Sequence, residues 1–171
     1  QIGILSVSFD SLGNLQGRSA VLRTQINNAY KAAMKQRETI AVSTLRLIQA
    51  AIKDRDIAAR SKGNSDGISD DAVLSLLQSM IKQRRDSIEA YEKGGRMELA
   101  QREAEEISII ESFLPAQMND VEIAAAVDGV ISNVGATTLK DMGKVMAVLK
   151  EQFAGQMDFG KASGAVKAKL G

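Results

Sequence analysis

The 171-residue chain has no His, no Cys and no Trp, and its one Pro is Pro115. Without His there is no imidazole to serve as a general base at neutral pH. Without Cys there is no thiolate nucleophile, disulfide or cysteine-ligated zinc. Catalysis would have to rest on carboxylates, Lys, Ser, Thr or Tyr. Aromatic residues make up only 4% of the chain, and Ala, Leu, Ile, Val and Met carry the apolar load, a balance that favours helix over sheet. No run approaches the ~20 uncharged apolar residues of a membrane span, and no membrane partner is expected. An excess of one charge is missing too, since 22 Lys and Arg oppose 21 Asp and Glu for a net charge of +1. Whole-molecule attraction to nucleic acid is therefore weak, and any such binding falls to local patches.

The first twenty residues hold one Arg and one Asp, with no basic start before the apolar run and no clear cleavage site. They read as neither a secretory signal nor an organellar presequence. With Cys absent as well, the expected compartment is the cytoplasm.

From Leu22 onward apolar residues recur at helical spacing in seven segments. The first carries Leu22, Ile26, Ala29, Tyr30, Ala33 and Met34 and ends near Arg37. Thr39 is expected to cap the second, whose stripe is Val42, Leu45, Ile48 and Ile52. Ser69 opens the third, with Asp70 and Asp71 opposing the positive end of the helix dipole, and Gly94-Gly95 stops it. The fourth places Ala100, Ala104, Ile107, Ile110 and Leu114 on one face and runs to Pro115, which biases Leu114 out of helical geometry. Beyond that turn, Asn119 with Glu122, Thr138 with Asp141, and Asp158 open three short helices, the first closed by Gly135. No segment after residue 21 alternates in the manner of a strand. The expectation is an all-α protein with a leader or extension over residues 1–20, an N-terminal helical domain over 21–116 and a three-helix tail over 117–171.

The densest acidic patch contains Glu103 and Glu106, which share a helix face and can hold a hard cation or act as an acid/base pair. Glu98 and Glu106 each stand four residues from Arg102, so a solvated face of ion pairs is the preferred reading. Lys144 follows Gly143 without the glycine-rich loop of a phosphate-binding motif. The SKGNSDG stretch at 61–67 is too short and too charged for an amidase nucleophile loop. No catalytic residue, metal or cofactor is expected. Among the basic residues, Arg46, Lys53 and Arg60 are seven apart, so successive members drift only about 20° and line one helical stripe suited to a phosphate backbone. Asp56, four before Arg60, also fits an ordinary helix pair. In KQRR at 82–85, Arg85 can pair with Glu89. Arg84 has no acidic partner and lies between Ile81 and Ile88, where it either snorkels over the core edge or contacts something outside. With few aromatics to stack bases, RNA recognition would rest on shape and backbone.

Three stretches, STLRLIQAAIK at 43–53, IEAYEKGGRMELAQREAEEISIIESFLPAQM at 88–118 and DMGKVMAVLKEQFAGQMDFGKASGAVK at 141–167, resemble the YqeY-like proteins of the GatB/YqeY family. These are small bacterial proteins similar to the C-terminal region of the B subunit of glutamine-dependent aspartyl/glutamyl-tRNA amidotransferase. The resemblance runs from Leu22 to Leu170. It implies a helical domain followed by a three-helix tail, and a region that helps hold tRNA while amide transfer occurs in other domains and subunits. The family label of carbon–nitrogen ligase with glutamine as amide donor then describes the wider system, and this chain is expected to bind tRNA or an aminoacyl-tRNA complex without catalysis.

Positions matched by motif are Arg46, Arg96, Gly143, Met146 and Gly155. Gly143 is expected to permit close helix approach, and Gly155 to close a helix in the left-handed conformation. The residues expected at RNA are Arg46, Lys53, Arg84 and Arg85, with Lys140 and Lys144 four apart on one helix face of the tail. The alternative is a protein-interaction adaptor that docks on an amidotransferase or synthetase subunit through an apolar groove using Met142 and Met146. Val21 stands where family chains begin with Met, so residues 1–20 are expected to be a translated leader or an appended extension.

Overall fold

In the computed structural model, which describes residues 18–171, seven α-helices follow one another with no strand among the described residues. They are α1 (Arg18–Gln36), α2 (Thr39–Ser61), α3 (Asp70–Lys93), α4 (Met97–Glu111), α5 (Asp120–Val134), α6 (Met142–Gln152) and α7 (Phe159–Leu170), with a 3-10 turn over Leu139–Asp141. The protein is all-α, as its periodicity implies. The leader or extension expected over residues 1–20 lies outside the described residues but for the start of α1.

Helix ends follow local chemistry at most junctions. Ser69 accepts a hydrogen bond from the Ala72 amide at 3.2 Å, and Asn119 and Glu122 form a reciprocal capping box at 2.8 and 3.1 Å. Asp158 accepts from the Gly160 and Lys161 amides, and Gly135 ends α5 at φ 67°. Thr39 departs from expectation: it is the first residue of α2, and Glu38 stands at the cap without a side-chain hydrogen bond. The preceding turn sets this boundary. Arg37 takes φ 57°, and the Glu38 amide donates back to the Ala33 carbonyl, so α2 starts as soon as α1 is closed off.

Two hydrophobic clusters with no residue in common form the interior. The first joins Leu22, Ile26, Leu45, Ile48, Ile52, Val73, Leu77, Ile81, Ile107 and Ile110 from α1 to α4. The second joins Ile123, Val127, Val130, Val145, Leu149, Ala162 and Val166 from α5 to α7. Met157 completes it from the turn before α7, fully buried and on no helical stripe. Ala104, placed on the apolar stripe of α4 by spacing, is exposed, while Glu106 is buried. The clusters meet where the turn after α6 rests on α3. Gln78 donates to the Met157 carbonyl at 3.1 Å, Gln117 donates to the Gly155 carbonyl, and Gly155 lies against Leu74.

Candidate functional site

Antiparallel packing of α1 on α2 sets three polar rungs across their seam. Arg23 donates through both terminal nitrogens to the two Asp56 carboxylate oxygens at 2.8 Å each, and to the Ile68 carbonyl at 3.1 Å. One turn along, Gln49 Nε2 donates to Asn27 Oδ1 at 2.9 Å. Next, Arg46 Nε donates to the Tyr30 hydroxyl at 3.0 Å, and its guanidinium lies 5.8 Å from the ring centroid, within cation–π range. The spacing 23, 27, 30 on α1 and 46, 49, 56 on α2 repeats every three, four or seven residues, which keeps each row on one helix face.

Lys53 occupies the place on α2 between Gln49 and Asp56 where a further rung would stand, and it makes no ion pair among the described residues. A cleft of about 210 Å³ opens there, lined by Arg23, Ile26, Asn27, Gln49, Lys53 and Asp56 over the Ile52 side chain. A larger hollow of about 560 Å³, lined by Glu38, Ile40, Glu105 and Ile109 among others, has no basic side chain and suits no anionic ligand.

The Arg23 hydrogen bonds hold the Asp56 carboxyl below its ordinary value, against the opposing effect of burial; the Ile68 amide and the Arg60 charge act in the same direction as Arg23. A carboxyl so depressed adds stability that is complete above its unfolded pKa of about 3.9 and disappears as pH falls through the lower folded value. Arg23→Gln should therefore flatten the acid limb of stability below about pH 4, read by urea unfolding along that limb. An unchanged limb would mean that Arg23 does not depress Asp56. Burial raises the neighbouring Asp70 carboxyl, whose Oδ1 has no hydrogen-bond partner among the described residues.

Of the residues expected at RNA, Arg46 and Lys53 lie together on the exposed side of α2 with Arg60. Arg84 is buried against α4, whereas Arg85 stays exposed and makes a surface ion pair. Arg84, expected to lack an acidic partner, donates through Nε to Glu106 at 2.9 Å and through Nη1 to the Met80 carbonyl at 3.2 Å. Arg85 pairs with Glu111 of α4 at 3.4 Å, and the partner expected for it, Glu89, is taken by Lys93 at 2.8 Å. The close packing of α3 on α4 causes both corrections, because it brings carboxylates more than twenty residues away within reach. The solvated-face reading of Glu106 fails for the same reason: only 12% of its side chain is exposed, and Arg102 approaches it at 3.8 Å. Glu103 beside it has a carboxyl raised by burial and then by the Glu106 charge.

In the tail, Lys140 and Lys144 do not share a helix. The Asp141 carboxylate accepts from the Thr137 and Thr138 amides at 3.0 and 3.3 Å, which folds Leu139–Asp141 into a 3-10 turn and delays α6 to Met142. Those two bonds hold the Asp141 carboxyl below its usual range. Gly143 does not serve a close approach, since a Cβ there would meet nothing within 4 Å. That role belongs to Gly155, at φ 75°, where a Cβ would stand 3.0 Å from Leu74 Cβ. Gly155 is left-handed as expected, but it lies in the turn beyond Phe153 and does not itself cap α6. Met142 and Met146 pack half-buried on the tail core, and Arg96 is exposed beside Glu98 at 3.4 Å.

The YqeY-like protein family matches residues 23–170. The chain belongs to the YqeY-like family. Among curated relatives, the altered inheritance of mitochondria protein 41 of Lachancea thermotolerans is 31% identical over 146 residues, covering 82% of this chain and 74% of that protein. The protein of the same name from Kluyveromyces lactis is 30% identical, covering 81% and 70%. An uncharacterized protein of Schizosaccharomyces pombe is 28% identical, covering 68% and 85%. The first two are named as mitochondrial, which overturns the expectation of a cytoplasmic protein. Absent Cys does not distinguish one reducing compartment from another. All three relatives are yeast proteins, so the bacterial setting implied by the resemblance has no support among them.

Spacing does not mark Arg23, Asn27 or Gln49, because each reads as an unremarkable polar residue on its own helix, and it places Tyr30 only on the apolar stripe of the first. One signal does mark their neighbourhood. Between residues 18 and 62 there are ten Lys and Arg against three Asp and Glu, whereas residues 63–171 hold twelve against seventeen. A net charge of +1 conceals this segregation.

Proposed function

We propose that this YqeY-like protein is a non-catalytic module that holds tRNA through the exposed basic face of α1 and α2. We further propose that residues 117–171 form a separate folding unit behind that face and that the protein works in the mitochondrion. The observation that carries the RNA reading is the charge segregation. Eight basic residues between 21 and 62 are exposed, namely Lys31, Lys35, Arg37, Arg46, Lys53, Arg55, Arg60 and Lys62. Asp56 is the partner of Arg23, which leaves Glu38 and Asp54 as the exposed acids of the pair of helices. Such a surface attracts a polyanion by releasing its counterions and needs no aromatic platform. The two separate hydrophobic clusters support the two-unit reading, and the names of the yeast relatives support the compartment.

Titration of the protein with tRNA at rising salt tests the RNA reading. Binding should weaken steeply with salt. Replacing Arg46, Lys53 and Arg60 together by Gln should lower affinity about tenfold near 50 mM salt and reduce the log–log slope by about 2 to 3. No binding at low salt, or a slope unchanged in the triple variant, would overturn it.

A further inference from the structure

The gap in the α1–α2 seam has the features of a small ligand site. Its floor is apolar, formed by the buried Ile26 and Ile52. One wall is the Asn27–Gln49 pair. Gln49 uses one N–H on Asn27 Oδ1, which leaves Gln49 Oε1 as an acceptor and the Asn27 amide as a donor, both without a partner among the described residues. An acceptor beside a donor is the pattern that side-chain amides use to read the hydrogen-bonding edge of a nucleobase. The far end is closed by Arg23 and Asp56, which neutralise each other, so the net charge of the cleft is that of Lys53. Outside the cleft, about one helical turn beyond Gln49, the Arg46 guanidinium is anchored on Tyr30 through Nε and leaves its terminal nitrogens for a phosphate.

We propose that this cleft takes one unpaired nucleobase of the bound RNA, its edge read by Asn27 and Gln49 and its flanking phosphates held by Lys53 and Arg46. The proposal rests on the RNA reading and narrows it from backbone contact in general to a single-stranded nucleotide. A cleft of about 210 Å³ has room for one planar heterocycle, and a base presents its hydrogen-bonding edge to the amide pair only when it is unpaired. The amide pair is thus of use only to a strand whose bases are free, whereas the basic face accepts any phosphate backbone.

The full-length protein is titrated with a short single-stranded RNA of mixed sequence and with the blunt duplex of the same sequence. Gln49→Leu should weaken single-strand binding about tenfold and leave duplex binding unchanged. Lys53→Gln should weaken both and lower both salt slopes by about 1. Asn27→Leu should repeat the Gln49→Leu result from the other helix, and both variants should keep the far-ultraviolet circular dichroism and melting temperature of the parent. Single-strand affinity unchanged in both amide variants, or lost in step with duplex affinity, would overturn the nucleobase site while the basic-face reading stands. If the parent bound neither RNA, both readings would fall together.

Discussion

Arg84→Met should lower the unfolding free energy by about 3 to 5 kcal/mol, as for other buried ion pairs that lose one partner. Arg84 and Glu106 are each only 12% exposed, and the substitution strands a carboxylate in the α3–α4 packing with Arg102 as a distant partner at 3.8 Å. It also removes a donor from the Met80 carbonyl. The double variant Arg84→Met with Glu106→Leu should recover most of the loss, because a packed apolar pair avoids desolvating either charge. The pH dependence has a definite sign. Burial and the Glu106 charge already raise the Glu103 carboxyl, and Arg84 opposes that rise. Losing Arg84 raises it further. A carboxyl raised above its unfolded pKa of about 4.3 is a burden when ionised, in full above the folded value and absent below the unfolded one. The deficit of the single variant should therefore narrow as pH falls toward about 4, measured by urea unfolding at a series of pH values. A single-variant loss below about 0.5 kcal/mol, the size of an ordinary surface change, would refute the reading of Arg84 as a buried structural cation.

Gly155→Ala should cost about 2 to 4 kcal/mol, the sum of left-handed backbone strain and overlap with Leu74. The overlap cannot be relieved by swinging a side-chain tip, since Leu74 Cβ and Cγ are among the atoms met, at 3.0 and 3.2 Å. Adding Leu74→Ala should relieve only the overlap with Cγ and Cδ1, recovering part of the loss while the Cβ contact and the backbone strain remain. Gly143→Ala is the matched control, as its Cβ would point into open space within α6, and it should be neutral or stabilising by about 0.5 kcal/mol. Thermal unfolding of the three variants tests the assignment, and equal effects at 143 and 155 would refute it.

The two glycines show where a sequence stops being informative. Both sit in stretches that the family match covers, and nothing in DMGKVM or FAGQMDF says which one faces a neighbour. That depends on the turn after α6 reaching α3, about eighty residues earlier in the chain. Arg84 makes the same point. Lying between Ile81 and Ile88, it is legible as an unusual cation on an apolar stripe, but its partner Glu106 is 22 positions away and stands in sequence four residues from Arg102. Asp56 likewise fits a helix pair with Arg60, four residues on, but Arg23 holds it from α1. Reading along one helix favours pairs at i+4, because those are the neighbours that helical geometry guarantees.

Periodicity, caps and the absence of strand patterning were enough to place seven helices and the turn at Pro115, because each depends on side chains within a few residues of one another. The segregation of positive charge into residues 18–62 was present in the composition as well, obscured only by summing over the whole chain. Missing His and Cys likewise restricted the chemistry before any fold was known. Which polar groups meet across α1 and α2, which cations remain free and where a cleft opens depended on helix packing, because those contacts join residues that the chain keeps far apart. Among the described residues Lys53 has no ion-pair partner, and the gap at that level is a property of the assembled pair of helices.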